Sequence, residues 1–418
     1  MYTMVQIQQQ ITDEVAGFRH VQELQRCGRE MPALLERVRV DTREQAVVRA
    51  VETAQRILRH MHAAEMSYAK TDAGHGLGHV VRDYVNGLRL ASKLDVDPRE
   101  LFVGLVAGIL HDSACGAVRR YDDHQSIVKH AGFASIIVEG ICAAQPDQCG
   151  LNLAERQLIQ YGIAAHTHAT KETRVTGKDG VTRILDPYPD TDENGKPYLA
   201  VWLPRWIDRL DCNGPTFVAR HYLTLAEAHQ DFANNGYYPI EYASHMRPLL
   251  RSADAIKADG NRRTMLEHLK MFRDSQSNAS PYGKHDVGAM VVMRDRLTVL
   301  IDQVFEDIAQ GYELKDWQQT QVLKAWDDFL ANNIEPHPAV GRPTAERLSA
   351  LFAELPAETR MVWTIAFELV MYHYCEWAKD VLNDLDEMPR EWLRFLDIED
   401  VRTIIRPHRS WAAPIGLL

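Results

Sequence analysis

Residues 101–112, Leu-Phe-Val-Gly-Leu-Val-Ala-Gly-Ile-Leu-His-Asp, constrain this chain more than any other stretch. Ten apolar or glycine residues run unbroken into His111-Asp112. A helix apolar on every side belongs inside a core. Its last turn then carries an imidazole and a carboxylate, which are costly to bury unless they are paired or coordinate something. Neighbouring imidazole and carboxylate groups are common ligands of divalent transition metals. A satisfied core histidine at a helix end is the plainer reading, so the rest of the chain must supply partners before a metal is implied.

The composition sets the class. At 418 residues the chain can bury a large core in two or three domains, or in one domain with helical additions. A formal charge of −11 argues against an extended nucleic-acid surface or an acidic membrane partner, while leaving room for a local basic pocket. The six cysteines, at 27, 115, 142, 149, 212 and 375, are scattered without CxxC spacing. This pattern predicts reduced thiols in a cytoplasmic protein. The first residues lack the basic-then-apolar order of a signal peptide, and no apolar stretch is long enough to span a membrane.

Helical spacing of apolar residues recurs along the chain. Before residue 68 it includes Val15, Phe18, Val21 and Leu24, then Ala50, Ala54, Ile57, Leu58 and Met61. His60 and His62 fall in the second set and read as exposed or supporting residues. The glycine-rich run 74–78 leads into a helix over about 78–93, with Val81, Tyr84, Val85 and Leu88 inward and His79 in the first turn. The buried helix follows Pro98. Further helices are predicted over about 125–143, with His130 on the apolar face, and about 153–165, ending in His166-Thr-His168. Thr173–Thr176 and Val181–Leu185, separated by a Gly-Lys-Asp-Gly turn, predict a small β-hairpin in a surface insertion. Residues 201–212 predict another helix, with Pro204 near its first position and Asp208 after Trp206-Ile207. Beyond 212 the pattern is helical again, with segments at about 216–232, 241–257, 262–275, 285–311, 314–332, 343–354, 358–384 and 389–396. The fold class read from this pattern is all-α with a small β insertion.

His79, His111, Asp112, His130, His166 and Asp208 lie on five successive helical segments. Helices joined by short loops return to the same end of a bundle, so such residues can converge. In this order the chain resembles the HD-domain superfamily of metal-dependent phosphohydrolases, whose pattern is H…HD…H…H…D. Gly78-His79-Val80-Val81-Arg82, Ala107-Gly-Ile-Leu-His111-Asp112, His130, Ile163-Ala-Ala-His166 and Ile207-Asp208-Arg-Leu-Asp211 carry the resemblance, over roughly residues 72–215.

The resemblance implies an HD-domain helical bundle over 71–215, with the insertion at about 170–200. An N-terminal helical extension would cover 1–70, and a C-terminal helical region 216–418. It implies one metal held by His79, His111, Asp112 and Asp208, and a second held by Asp112, His130 and His166. His168 is a further candidate beside this set, and Asp211 competes with Asp208. The ligand set points to two divalent transition-metal ions, iron or manganese first, with nickel, cobalt or magnesium as alternatives. The implied activity is hydrolysis of a small-molecule phosphate ester or nucleotide by a metal-activated water. The chain departs from the family at Gly116, where many members carry lysine four residues after the aspartate. Lys129, Arg119, Arg120 and Arg209 are the cations left to contact a phosphate. Lys129 is carried forward as a catalytic candidate beside His111 and Asp112. Two alternatives remain open: a di-iron oxygenase on the same ligand set, and a non-catalytic module that binds a nucleotide or partner. The flanking helices could also form a homo-oligomer interface.

Overall fold

A computed structural model of the chain describes residues 14–63, 77–113, 126–166, 173–176, 182–185, 188–212, 324 and 378–393. The predicted helices between 216 and 354, and most of 358–384, lie outside them. The chain divides into two compact units, one comprising Met1–Asp208 with Met388–Asp397, the other Arg209–Glu387 with Ile398–Leu418. In the second unit, 209–212 and 378–387 are helical.

The first unit is built from helices α1 (Glu14–Arg29), α2 (Met31–Leu35), α3 (Arg43–Ala63), α4 (Leu77–Lys93), α5 (Pro98–Leu110), α6 (Ser126–Ala144), α7 (Pro146–Cys149) and α8 (Leu153–Ala165), and by most of α9 (Leu199–Cys212). Two short strands, β1 (Thr173–Thr176) and β2 (Thr182–Leu185), pair antiparallel with Thr173 opposite Leu185. Near the C-terminus, Arg390–Leu393 form a 3₁₀ turn within the helix expected over about 389–396, of which 394–396 lie outside the described residues.

Helix α5 is the centre of the unit, packed against α3, α4 and α8. Every residue from Glu100 to Leu110 is buried, as its unbroken apolar sequence demands. It starts where Asp97 accepts a hydrogen bond from Arg99 N at 2.8 Å and Pro98 presets the first turn. Helix α8 also starts on a strong cap. Asn152 accepts from Glu155 N, and the Glu155 carboxylate accepts from Asn152 N, both at 2.9 Å.

Glycines set how closely these helices approach α9. A Cβ on Gly108 would lie 2.1 Å from Ile207 Cδ1, and one on Gly104 would lie 3.0 Å from Leu199 O. On α8, a Cβ at 162 would lie 2.8 Å from Ala200 O and 2.9 Å from Ala107 Cβ. The glycines in the apolar run are therefore contact positions for a neighbouring helix. Pro204 sits inside α9 instead of near its first position. The reason is upstream: the Glu100 carboxylate accepts from Leu199 N at 3.0 Å and starts the helix early. Proline has no N–H, so Ala200 O gains no bond from residue 204. That carbonyl is the one against Gly162.

The N-terminal helices are tied to the bundle through Glu155. Its carboxylate is fully buried and takes Arg49 at 2.7 and 2.8 Å, Arg39 Nη2 at 2.9 Å and the Arg39 backbone N–H at 3.0 Å. The Arg49 guanidinium also lies over the Phe102 ring of α5, 4.5 Å from its centre. Burial pushes the Glu155 carboxyl up, but the two arginines and two backbone N–H groups outweigh it and hold its pKa at about 2.

Two outcomes follow from this packing. Glu155→Gln should cost about 3 kcal/mol in denaturant unfolding, because it leaves Arg49 without its buried counter-charge. A carboxyl with a depressed folded pKa stabilises fully above its ordinary value of 4.5 and loses that contribution as pH falls towards 2. The variant should therefore melt with a flatter acid limb than wild type. Gly162→Ala should lose about 1–3 kcal/mol through overpacking, although the same change in an open helix usually stabilises by about 1 kcal/mol. Chemical denaturation of both proteins checks the sign.

Candidate metal centre

Helices α5 and α8 end in the same way. His111 and His166 each follow the last helical residue with right-handed backbone angles. The final carbonyls of a helix have no partner within it. Each imidazole turns back onto one of them: His111 Nδ1 lies 2.7 Å from Gly108 O, and His166 Nδ1 lies 2.6 Å from Ile163 O. A carbonyl can only accept, so Nδ1 carries the proton and donates. In the neutral ring Nε2 then holds the lone pair, which is the state a metal ligand requires. The two rings meet edge to face with centres 4.5 Å apart, and His79 approaches His111 similarly at 5.4 Å.

Carboxylates face these nitrogens. His79 Nε2 is 3.0 Å from Asp83 Oδ2, 3.1 Å from Asp112 Oδ2 and 3.6 Å from Asp208 Oδ1. His111 Nε2 is 3.3 Å from Asp112 Oδ2 and 3.8 Å from both Asp83 Oδ2 and Asp208 Oδ1. The other oxygen of Asp112, Oδ1, is 3.9 Å from His166 Nε2. Asp112 thus presents its two oxygens to two sets of donors. Among the described residues, His79, Asp83, His111 and Asp208 form one group of converging ligand atoms, and His111, Asp112 and His166 another.

These separations fit a metal. Donors bound to one ion at about 2.1 Å stand roughly 3.0 Å apart when adjacent and 4.2 Å when opposite. The observed spacings fall inside that range. Buried His111 Nε2 makes no good hydrogen bond with the described residues, which suits an atom aimed at an ion. The charged groups also act on one another. Burial pushes the His111 imidazole down, but Asp112 and Asp208 outweigh it and hold its pKa well above the usual value. Burial pushes the Asp208 carboxyl up, but His111 outweighs it and holds it far below the usual carboxylate range. Three carboxylates in a buried pocket call for positive charge, which a divalent cation supplies. Asp208, with 25% of its side chain exposed, marks the open side of the group, while the His79 and Asp83 side chains are fully buried.

Of the residues expected from sequence, the structure brings together His79, His111, Asp112, His166 and Asp208. On α9 it is Asp208 that joins the group and not Asp211, which is itself buried. His130 and Lys129 lie on α6, but their side chains are outside the described residues, as is that of Arg209. Cys115, Gly116, Arg119, Arg120 and His168 are also outside them. His60 is half-buried on α3, away from both groups. Asp83 is the residue that the sequence reading missed. On α4, Val81 is only half-buried, while Arg82 is buried and so is a polar stripe of His79, Asp83 and Asn86. The i, i+4, i+7 spacing of that stripe was the available signal.

Two further contacts position the ligands. Arg205 of α9 is buried and donates from Nε to Ala165 O at 2.8 Å, next to His166, and pairs with Asp190 at 2.6 Å. Glu100, in the first turn of α5, holds the start of the helix that carries Asp208. Burial pushes the Glu100 carboxyl up to about 7, against the opposing pull of the Leu199 N–H. A raised acid pKa favours the fold fully below the ordinary value of 4.5, and this contribution is lost as pH rises through 7. Glu100→Gln should remove that loss. Its melting temperature should gain on wild type between pH 5 and about 8, and parallel pH profiles would show that Glu100 is not the group responsible.

Comparison of the chain with protein-family models, with curated proteins and with solved structures finds no match. Its functional assignment therefore rests on a buried histidine–aspartate centre, able to hold metal, within a helical unit.

Proposed function

We propose that the chain is a metal-dependent phosphohydrolase of the HD type, acting on a small phosphate ester or nucleotide at a dinuclear centre. One observation carries the reading: the two oxygens of Asp112 face different donor sets, His79 and His111 on one side and His166 on the other. A carboxylate so placed suits two ions about 3.5–4 Å apart, a spacing matched to in-line attack at phosphorus.

His79, His111 and Asp208 hold the first ion with Asp112. His166 holds the second with the other oxygen of Asp112, and the H…HD…H…H…D pattern assigns His130 to the same ion. Bound ions of this kind supply Lewis acidity to a phosphoryl oxygen and lower the pKa of a water molecule. The chain contributes orientation. Backbone carbonyls fix the His111 and His166 rings, so their lone pairs need no reorganisation when charge develops. Asp208 sits where the group opens, on the side from which substrate arrives. Lys129 contacts the substrate phosphate in this reading, taking the part of the lysine that Gly116 replaces. Iron or manganese suits the mixed imidazole and carboxylate set better than magnesium.

Elemental analysis of protein purified without chelator tests the centre, and release of p-nitrophenol from mono- and bis-(p-nitrophenyl) phosphate tests the reaction. About two ions per chain are expected, lost together with activity in the His111→Ala/Asp112→Ala double variant. Metal-stripped protein that hydrolyses both substrates at the full rate would overturn the assignment. Iron-loaded protein that consumes O₂ with an organic substrate, and leaves both esters intact, would replace hydrolysis by oxygenation.

A further inference from the structure

We propose that Asp83 is itself a metal ligand and that it makes the two ion positions unequal. The proposal rests on the dinuclear reading above. The position built by His79, Asp83, His111 and Asp208 binds the tighter ion and fills first. The position at Asp112 and His166 fills second.

The geometry separates this role from that of a supporting carboxylate. A carboxylate that only orients a metal-bound histidine grips the ring nitrogen facing away from the ion. Asp83 does the opposite. Its Oδ2 lies 3.0 Å from His79 Nε2, the same nitrogen that stands 3.1 Å from Asp112 and 3.6 Å from Asp208. The same oxygen is 3.8 Å from His111 Nε2. Asp83 Oδ2 therefore points into the space where the lone pairs converge. His79 and Asp83 are one helical turn apart on α4, so a single helix delivers both to the same point.

Charge then orders the two positions. Asp83 and Asp208 together cancel one divalent ion before Asp112 is counted. Two imidazoles and two carboxylates, joined by one oxygen of the bridging Asp112, form a set for a first-row cation whose oxygen content suits manganese or ferrous iron. The second position has, among the described residues, Asp112 Oδ1 and His166, the single lone pair of His111 being committed to the first. With fewer anionic donors, it binds more weakly. Once the first ion is neutralised by Asp83 and Asp208, the charge of Asp112 remains to draw the second.

Equilibrium dialysis of metal-stripped, full-length protein against Mn²⁺ tests this, alongside thermal melting with and without Mn²⁺. Wild type should take up two ions in two separable steps. Asp83→Asn should weaken the tighter step by about 10–100-fold, and Asp83→Glu should recover part of it. Without metal, Asp83→Asn should melt at or above wild type, because one of three crowded carboxylates is gone. With Mn²⁺ its gain in melting temperature should shrink. An Asp83→Asn protein that binds both ions as tightly as wild type overturns the role of Asp83 and leaves the dinuclear centre standing. One that melts lower without metal but gains as much from Mn²⁺, or that fails to fold, overturns it too, because Asp83 would then be a structural partner of His79. Wild type that takes up no Mn²⁺ removes the dinuclear reading and this one with it.

Discussion

Three carboxylates and three imidazoles crowd together at one end of the helical unit, most of them buried. Carboxylates so close repel one another, and each loses solvation on burial. The His111 imidazole offsets part of this cost, which is why its pKa is driven upward and that of Asp208 downward. A divalent cation offsets more of it, because it carries two charges and accepts several lone pairs at once. The surrounding helices bring these six side chains to one place.

Helix termini provide the arrangement. Helices α5 and α8 begin at strong caps and end at histidines, so start and stop signals fix where the imidazoles fall. Helix α9 brings Asp208 to the group and also holds the end of α8 through Arg205. Glu100 joins the start of α9 to the start of α5. Small residues at 104, 108 and 162 let α9 come close enough for these links to form together. Far from the centre, Glu155 locks α8 to Arg39 and Arg49, so the N-terminal helices share in holding the bundle.

Much of this was legible in the sequence, and for a physical reason. The unbroken run 101–110 has one stable destination, a buried helix; His111 and His166 stood at predicted helix ends, and His79 in a predicted first turn. Asp83 was not legible because period analysis counts apolar residues, and a buried polar stripe at helical spacing resembles a solvated face. Pro204 was misplaced because its position depends on Glu100, a side chain 99 residues away along the chain that starts the helix early. Contacts of that separation leave no local trace. The glycines in the apolar run were visible, but the helix they accommodate was not.

The acceptors that orient His111 and His166 are main-chain carbonyls of Gly108 and Ile163. No point substitution deletes a carbonyl oxygen. In centres where a side-chain carboxylate holds the ligand histidine, a single codon change can loosen the ring. Here the aim of both rings survives drift at the positions that provide it, as long as the helix itself persists. Variation can then accumulate at the side chains around the two rings while the imidazoles stay fixed.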